Sequence, residues 1–143
     1  EETRKFREGM MQLPADRRVF IAETGTPRKL AAGYCICGPD RDPERASTGE
    51  IYSLYVLPEF QGRRIGRMLV HAAARWLSGK GMRRMIIYVL RGNSPSRKFY
   101  ESMGGSLERE KTIQIRGYPA DEVGYGYDLS EAALSTMEGS IKR

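Results

Sequence analysis

Histidine and cysteine are scarce in this sequence, with one His and two Cys among 143 residues. A structural zinc site takes four ligands, mostly cysteine or histidine, so Cys35, Cys37 and His71 cannot complete one without carboxylates. We therefore predict no metal. The cysteines lie two residues apart in an extended stretch, which favours reduced, half-buried strand thiols over the alternative of a redox pair. His71 falls off the apolar stripe of a predicted helix and is expected to face solvent.

Long apolar stretches are also missing. The longest strongly apolar run covers residues 85–90, whereas a helix needs about 20 apolar residues to cross a bilayer. The chain does not open on a charged segment followed by an apolar one, as a secretory signal would. We therefore expect a cytoplasmic protein without a membrane partner.

Acidic residues are absent between Phe60 and Tyr100, although this stretch carries ten Lys and Arg. The whole chain has 24 basic and 18 acidic residues and a net charge of +6. The stretch is therefore +10, and the other 14 basic and 18 acidic residues sum to −4. Charge concentrated in this way indicates an anionic partner. A nucleic acid would favour exposed aromatics among the basic residues, but Trp76, the one tryptophan, falls on an apolar helix stripe. We therefore predict a phosphorylated ligand and no nucleic acid.

The chain length fits one domain, residues 1–143, with a core over 18–129. Hydrophobic periodicity and capping residues predict helices over 3–12 and 65–77, a third that Ser94 caps and Gly104 closes, and a short fourth after Ser130. Alternating and β-branched stretches predict strands over 18–24, 30–37, 50–57, 84–90, 107–115 and 122–129. The outer strands form hairpins, the last across 116–119, and the strands at 50–57 and 84–90 are parallel with a helical crossover. The sequence therefore predicts a mixed α+β sheet.

The turn between the strand at 50–57 and the following helix, residues 58–67, is rich in small and basic side chains. Such a turn directs free backbone N–H groups and the positive end of the helix towards one point, where a phosphate binds well. The alternative is that Gly62 and Gly66 only permit the turn and close helix packing. Together with the localised charge, the turn favours a phosphate-binding site.

Two stretches, residues 50–66 and 93–105, resemble the two core motifs of the GNAT superfamily of acyl-CoA-dependent N-acyltransferases. The resemblance implies a GNAT-like three-layer α+β fold with helices on both faces of a central, mostly antiparallel sheet. It also implies that the sheet splays between the strands at 50–57 and 84–90. The family begins with a strand and a helix ahead of this region, so one of them is lost here or residues 1–13 are their remnant.

The resemblance implies acetyl-CoA as the cosubstrate, its pyrophosphate bound by main-chain amides of the turn. Gln61 and Gly66 match the first and last positions of the family's turn motif. Arg64 stands where the motif usually has its first glycine, and it either crowds the phosphates or pairs with them. The pantetheine arm would lie between the splayed strands, with an N–H near Leu54 holding the thioester carbonyl and Asn93 either bonding the arm or serving only as a turn residue. The expected coenzyme contacts are Leu54, Tyr55, Val56, Gln61, Gly62, Arg63, Arg64, Ile65, Gly66, Arg67, Asn93, Ser96 and Tyr100.

Two titratable residues have roles that the resemblance implies. Tyr100 matches the family's tyrosine, and a phenol, with a pKa of about 10, is protonated at pH 7 and can donate to the departing thiolate. The alternative is a packed aromatic beside Phe99. Glu50, at the start of the splayed strand, is the candidate base, directly or through water, and the alternative is a carboxylate at a strand end. Tyr52 shares its strand face.

We therefore expect an N-acetyltransferase that moves an acetyl group from acetyl-CoA to a primary amine of a small molecule or peptide. Direct attack in a ternary complex needs no covalent enzyme intermediate. The alternative is a non-catalytic acyl-CoA-binding regulatory module on the same fold, which the departure at Arg64 motivates. The resemblance is also compatible with a homodimer.

Overall fold

A computed structural model describes residues 13–25, 29–45 and 47–142. The strands are β1 (Arg18–Thr24), β2 (Leu30–Pro39), β3 (Thr48–Val56), β4 (Arg84–Leu90), β5 (Ser106–Ile115) and β6 (Tyr118–Asp128). The helices are α1 (Ile65–Gly79), α2 (Ser94–Ser102) and α3 (Glu131–Ile141), and a 3₁₀ turn covers Pro58–Phe60. The strands form one sheet in the spatial order β1-β2-β3-β4-β6-β5. The predicted helix over 3–12 lies outside the described residues.

Every pair of neighbouring strands in this sheet is antiparallel except the central pair, β3 and β4. A parallel pair needs a crossover connection, and α1 provides it. The predicted mixed α+β sheet, mostly antiparallel with one parallel pair, is therefore confirmed, and so are both hairpins.

The two parallel strands separate soon after they begin to pair. β3 pairs with β4 only from Thr48 to Ile51, and residues 53–56 pair only with β2. The register between β2 and β3 also shifts at this point, so that Tyr52 is an extra residue without a partner in β2. A bulge of this kind bends a strand and turns it away from its neighbour. The predicted opening of the sheet is therefore confirmed.

All three described helices pack on one face of the sheet, and the helix expected on the other face is not among the described residues. Gly49, Met85 and Tyr127 are register partners, so they share a face. A Cβ on Gly49 would lie 2.7 Å from Leu77 of α1, and the Tyr127 hydroxyl donates to the carbonyl oxygen of Tyr100 in α2 at 2.8 Å. Leu134 and Met137 of α3 join the same core, whose largest members include Ile51, Leu77, Met85, Val123 and Tyr125.

The two later helices begin at side-chain caps. The prediction that Ser94 caps α2 was wrong, because α2 begins at Ser94 and the Asn93 Oδ1 accepts from the Ser96 N–H at 3.2 Å. Pro95 lies in the first turn, where its missing N–H costs no helical hydrogen bond. Ser130 caps α3 as predicted, its Oγ accepting from the Ala133 N–H at 3.1 Å.

The last hairpin is tighter than the sequence predicted. Its turn consists of Arg116 and Gly117, both with positive φ (51° and 83°), as a type I′ turn requires. Tyr118 and Pro119 already belong to β6. Proline breaks a central strand, but this part of β6 has only β5 beside it, so Pro119 leaves no strand pair incomplete on the other side.

His71 and the cysteines are more buried than expected. The prediction that His71 faces solvent was wrong: its Nε2 is buried without a hydrogen-bond partner in the part of the chain that the structure describes. Burial lowers the pKa of this imidazole, and Leu134 and Glu138 of α3 lie beside it. Cys35 and Cys37 are free thiols, fully rather than half buried. Burial raises the pKa of Cys37 to about 12 and that of Cys35 further, which disfavours redox chemistry through a thiolate.

Candidate active site

A cleft of about 540 Å³ lies where β3 separates from β4, between β3, the turn before α1, and α2. This volume is within the usual range for small-molecule sites. Of the predicted coenzyme contacts, all but Arg63 and Asn93 line it. Sequence reasoning missed three further lining residues, Phe60, Pro95 and Phe99. These three residues complete the walls of the cleft. An apolar side chain beside a motif carries no sequence signal that distinguishes a cleft wall from the ordinary hydrophobic core.

The turn before α1 leaves backbone N–H groups without partners. Gly62 has φ +80° and no atom within 4 Å of a Cβ built on it, so the turn is open there. Arg64, at φ 65°, is the N-cap residue of α1 and provides no side-chain cap. The first N–H groups of α1 therefore point out of the helix without an intrahelical acceptor. The Gln61 Nε2 holds the turn to β3 by donating to the Val56 carbonyl at 3.1 Å.

Gly66 lets α1 and α2 approach each other at the cleft. A Cβ on Gly66 would lie 3.2 Å from the Phe99 ring, tighter than most contacts of real Cβ atoms. Gly66 therefore permits close helix packing, which was one of the two interpretations of this glycine. It is compatible with phosphate binding, because the same close approach leaves the uncapped end of α1 beside the cleft.

The basic stretch divides into paired and unpaired cations. Arg75 pairs with Glu131 at 2.6 Å, and ion pairs also join Arg84 to Glu108 and Arg91 to Glu110. By contrast, none of the three arginines around the turn forms an ion pair with a described residue; they are Arg63, Arg64 and Arg67. Lys80, Arg83, Arg97 and Lys98 likewise form no ion pair with a described residue, so three of the seven unpaired cations of this stretch surround the turn.

Arg64 is directed towards the end of α3. Its Nη1 donates to the carbonyl oxygens of Ser140 at 3.4 Å and Ile141 at 3.0 Å. These last carbonyls lack helical partners and carry the negative end of the helix dipole. Arg67 instead links α1 to the end of α2, with Nη2 donating to the Ser102 Oγ at 2.8 Å. Arg64 also lines the cleft, so its expected effect on the phosphates, crowding or pairing, stays a prediction.

Tyr100 lies in the wall of the cleft and is 8% exposed. Its ring lies 5.3 Å from the ring of Phe99 and 6.2 Å from that of Tyr125. Burial, helped by the nearby Cys35 thiol, raises the pKa of Tyr100 to about 12. The phenol is therefore fully protonated at neutral pH and able to donate.

A polar network behind Tyr100 was invisible in the sequence. Tyr125 is fully buried, and its hydroxyl donates to the Glu101 Oε2 at 2.6 Å and accepts from the Arg97 Nε at 3.0 Å. Because β6 is distant from α2 along the chain, only the pairing of β4 with β6 could have revealed that Tyr125 lies there. The network holds α2, and thus Tyr100, against the sheet.

Glu50 lies on the sheet face opposite the helices and is 1% exposed. Its neighbour Ile51 shares a rung with Ile87 and Tyr125, which places Glu50 on the sheet face opposite to Tyr100. Glu50 lies in the last paired stretch before the opening and does not line the cleft. Arg41 covers the carboxylate: its N–H donates to Oε1 at 3.0 Å, and Nε and Nη2 donate to Oε2 at 3.0 and 2.6 Å. No sequence signal connected these two residues.

Two features are absent from the described residues as a whole. In the described ranges, no three His, Cys, Asp or Glu side chains are grouped so that they could hold a metal ion. None of the three described helices is long and apolar enough to span a bilayer.

The fold is shared with a protein of solved structure. Arabidopsis thaliana NAA60, solved in complex with a bisubstrate analogue, aligns with a TM-score of 0.68 at 17% identity, over 80% of this chain and 76% of that one. The two chains therefore share this fold.

The chain belongs to the acetyltransferase (GNAT) family, whose family model matches residues 1–105. It is 35% identical over 120 residues to YuaI of Bacillus subtilis, an uncharacterised N-acetyltransferase, covering 83% of this chain and 66% of that protein. It is 44% identical over 59 residues to the mycothiol acetyltransferase of Beutenbergia cavernae, covering 41% of this chain and 20% of that protein. The chain thus spans less than two thirds of the length of these relatives.

Proposed function

We propose that this chain, as a single domain, transfers an acetyl group from acetyl-CoA to a primary amine by direct attack in a ternary complex. The observation that carries the proposal is the opening between β3 and β4, with the uncapped N-terminus of α1 and three unpaired arginines at one end. A ligand with an anionic head and an extended neutral arm fits this arrangement. Coenzyme A has this shape, and its thioesters are the acyl donors of the family.

The coenzyme would be held mainly by backbone groups. The N–H groups at the start of α1, around Gly66, are suited to the pyrophosphate. Residues 52–56 have main-chain groups that no strand bonds on the side facing β4, and an extended arm can pair with them. An N–H near Leu54 would then stabilise the oxyanion that forms at the thioester carbonyl, because a preorganised donor is most effective there.

The chemistry would use one residue on each face. The amine nitrogen bonds to the carbonyl carbon and the C–S bond breaks, giving the acetylated amine and coenzyme A. Tyr100 gives its proton to the departing sulfur. The Glu50 carboxylate, whose two oxygens accept from Arg41 at rest, takes the proton of the amine directly or through a bound water.

The non-catalytic module is the weaker proposal. Its motive was a side chain in the phosphate turn, but Arg64 is bonded to α3 and leaves the turn amides free.

The proposal is tested by two measurements on the wild-type protein. Calorimetry with coenzyme A tests the cleft, and release of free thiol from acetyl-CoA with a panel of primary amines, with mass detection of the product, tests the reaction. We expect binding together with thiol release on at least one amine. Binding without turnover on any amine would favour the module, and the absence of binding would contradict both functions.

A further inference from the structure

The face of the sheet opposite the helices carries a charged strap across the start of the opening. The strap is the dipeptide Asp40-Arg41, directly after β2. Arg41 bonds Glu50 on one arm of the opening. Asp40 accepts from the Arg109 Nη1 at 2.9 Å on the other arm, and the same Nη1 donates to the Tyr88 hydroxyl at 3.2 Å. The two ion pairs leave no net charge among these four ionised groups.

The two halves of the strap differ in how firmly they are held. The Asp40 side chain is 2% exposed, its second oxygen accepts from the Asp42 N–H at 2.9 Å, and its own N–H donates to the Thr48 carbonyl at 2.9 Å. The Arg41 side chain is 55% exposed, and besides Glu50 its described neighbours are the Tyr52 ring, 5.3 Å from its guanidinium carbon, and Glu122, which interacts with it electrostatically. The loop is therefore anchored by Asp40, and the Arg41 guanidinium is free to swing into solvent without releasing the loop.

Glu50 and Arg41 differ sharply in their exposure to solvent. The carboxylate is almost fully buried, while the guanidinium that covers it is more than half exposed. A carboxylate in this position can reach a water or an amine at the opening only when Arg41 moves. Arg41 is thus an exposed side chain that covers a buried carboxylate, an arrangement that can act as a latch.

We propose that Arg41 is a positioning residue that latches Glu50 and prevents hydrolysis of acetyl-CoA until an amine occupies the site. The inference rests on the proposed acetyl transfer. Without the latch, Glu50 takes a proton from water, the water oxygen bonds to the thioester carbonyl carbon, and the C–S bond breaks. The sulfur takes its proton from Tyr100, and the products are acetate and coenzyme A. An arriving ammonium group replaces the guanidinium on Glu50 and so opens the latch only when an acceptor is present.

The test measures thiol release from acetyl-CoA in the absence of any amine. Arg41→Ala is expected to raise this hydrolysis roughly tenfold or more, because a positioned general base contributes roughly 10²- to 10⁴-fold. Arg41→Lys, which keeps a cation with fewer aligned donors, is expected to lie between the two. The double variant Arg41→Ala/Glu50→Gln is expected to return to the wild-type rate, which a merely structural role for Arg41 would not predict.

The matched control is Arg45→Ala in the same loop. Arg45 pairs with Asp42 at 3.4 Å, both side chains are about half exposed, and neither is bonded to Glu50. Its hydrolysis rate is expected to equal the wild-type rate. Melting temperatures show whether each variant is folded; if Arg41→Ala is not, the comparison is made with Arg41→Lys and its Glu50→Gln double variant.

Each outcome decides between the proposals. A folded Arg41 variant that binds acetyl-CoA but hydrolyses it no faster than the wild type overturns the latch, and so does a gain that persists in the Glu50→Gln background. In both cases amine acetylation by the wild type leaves the proposed function intact. A wild-type protein that does not bind acetyl-CoA overturns the proposed function and the latch with it.

Discussion

The Tyr127 hydroxyl donates a hydrogen bond of 2.8 Å to the main-chain carbonyl of Tyr100. The bond ties β6 to α2 from inside the core, and it leaves the Tyr100 hydroxyl itself unbonded by the described residues. The two tyrosines therefore divide their roles: the hydroxyl of Tyr127 stabilises the helix, and that of Tyr100 is available at the cleft. Substituting each with phenylalanine separates the two roles.

Tyr127→Phe should lower the free energy of unfolding by about 1 kcal/mol, because a buried hydrogen bond is lost. The Tyr100 carbonyl still accepts from the Gly105 N–H at 3.0 Å, so it is not left without a partner. Urea unfolding measures the loss. Tyr118→Phe, at a residue 75% exposed, is the matched control and should be unchanged; an equal loss in both variants would contradict the assignment.

Tyr100→Phe should lower turnover roughly 100-fold or more while the affinity for coenzyme A stays near the wild-type value. The variant removes the proposed proton donor and keeps the ring that packs against Phe99 and Tyr125. Single-turnover kinetics and calorimetry measure the two quantities. An unchanged chemical rate would remove Tyr100 as the acid.

The raised pKa of Tyr100, about 12 against about 10 for a free phenol, predicts a loss of stability at alkaline pH. The unfolded chain releases this proton near pH 10 and the folded chain only near pH 12. The stabilisation is therefore complete below pH 10 and is lost as the pH rises to 12, by about 2 to 3 kcal/mol. Urea unfolding between pH 8.5 and 11 should show a shallower decline for Tyr100→Phe than for the wild type. Equal slopes would contradict it.

Arg64→Gly should be more stable than Arg64→Ala by about 1 kcal/mol. Both variants lose the hydrogen bonds to α3, but only alanine keeps a Cβ in the left-handed conformation, at φ 65°. Thermal and urea unfolding of the pair measure the difference, with the lost hydrogen bonds cancelling between them. Equal stability would mean that the backbone relaxes out of this conformation.

Neutralising Arg63 or Arg67 with glutamine should weaken coenzyme A binding roughly tenfold each and reduce its salt dependence. Arg75→Gln and Lys80→Gln are the controls: Arg75 is already paired with Glu131, and the Lys80 ammonium lies 5.4 Å from the Trp76 ring. Calorimetry at two or more salt concentrations measures the effect. Equal losses of affinity in all four variants would show that the positive charge that attracts coenzyme A is not located at the cleft.

Local patterns in the sequence predicted most elements of this fold. The apolar spacing of α1 and the β-branched run of β4 are strong local signals, and the helix and strand appear where expected. The cap of α2 was missed by one residue, because Asn93 and Ser94 are both good caps and Pro95 is tolerated at either early position.

What the sequence could not predict depends on residues that meet only in the folded chain. The sheet-facing stripe of α1 is visible in its periodicity, but α3 covers a second side, and this is why His71 is half-buried and its Nε2 is shielded from solvent. Charge pairing is equally hidden: the basic residue that covers Glu50 looks like any other cation of a polar loop. Motif spacing therefore located the residues that line the cleft well and the environment of Glu50 poorly.

The sheet consists of two antiparallel halves, β1-β2-β3 and β4-β6-β5, joined only along the short stretch from Thr48 to Ile51. Within the described residues, β3 and β4 are held together at this seam alone, so the direction in which β3 leaves the seam after Ile51 sets how far the two halves diverge. The seam residues do not line the cleft. A substitution in the seam can therefore change the width of the gap without altering a residue that lines it.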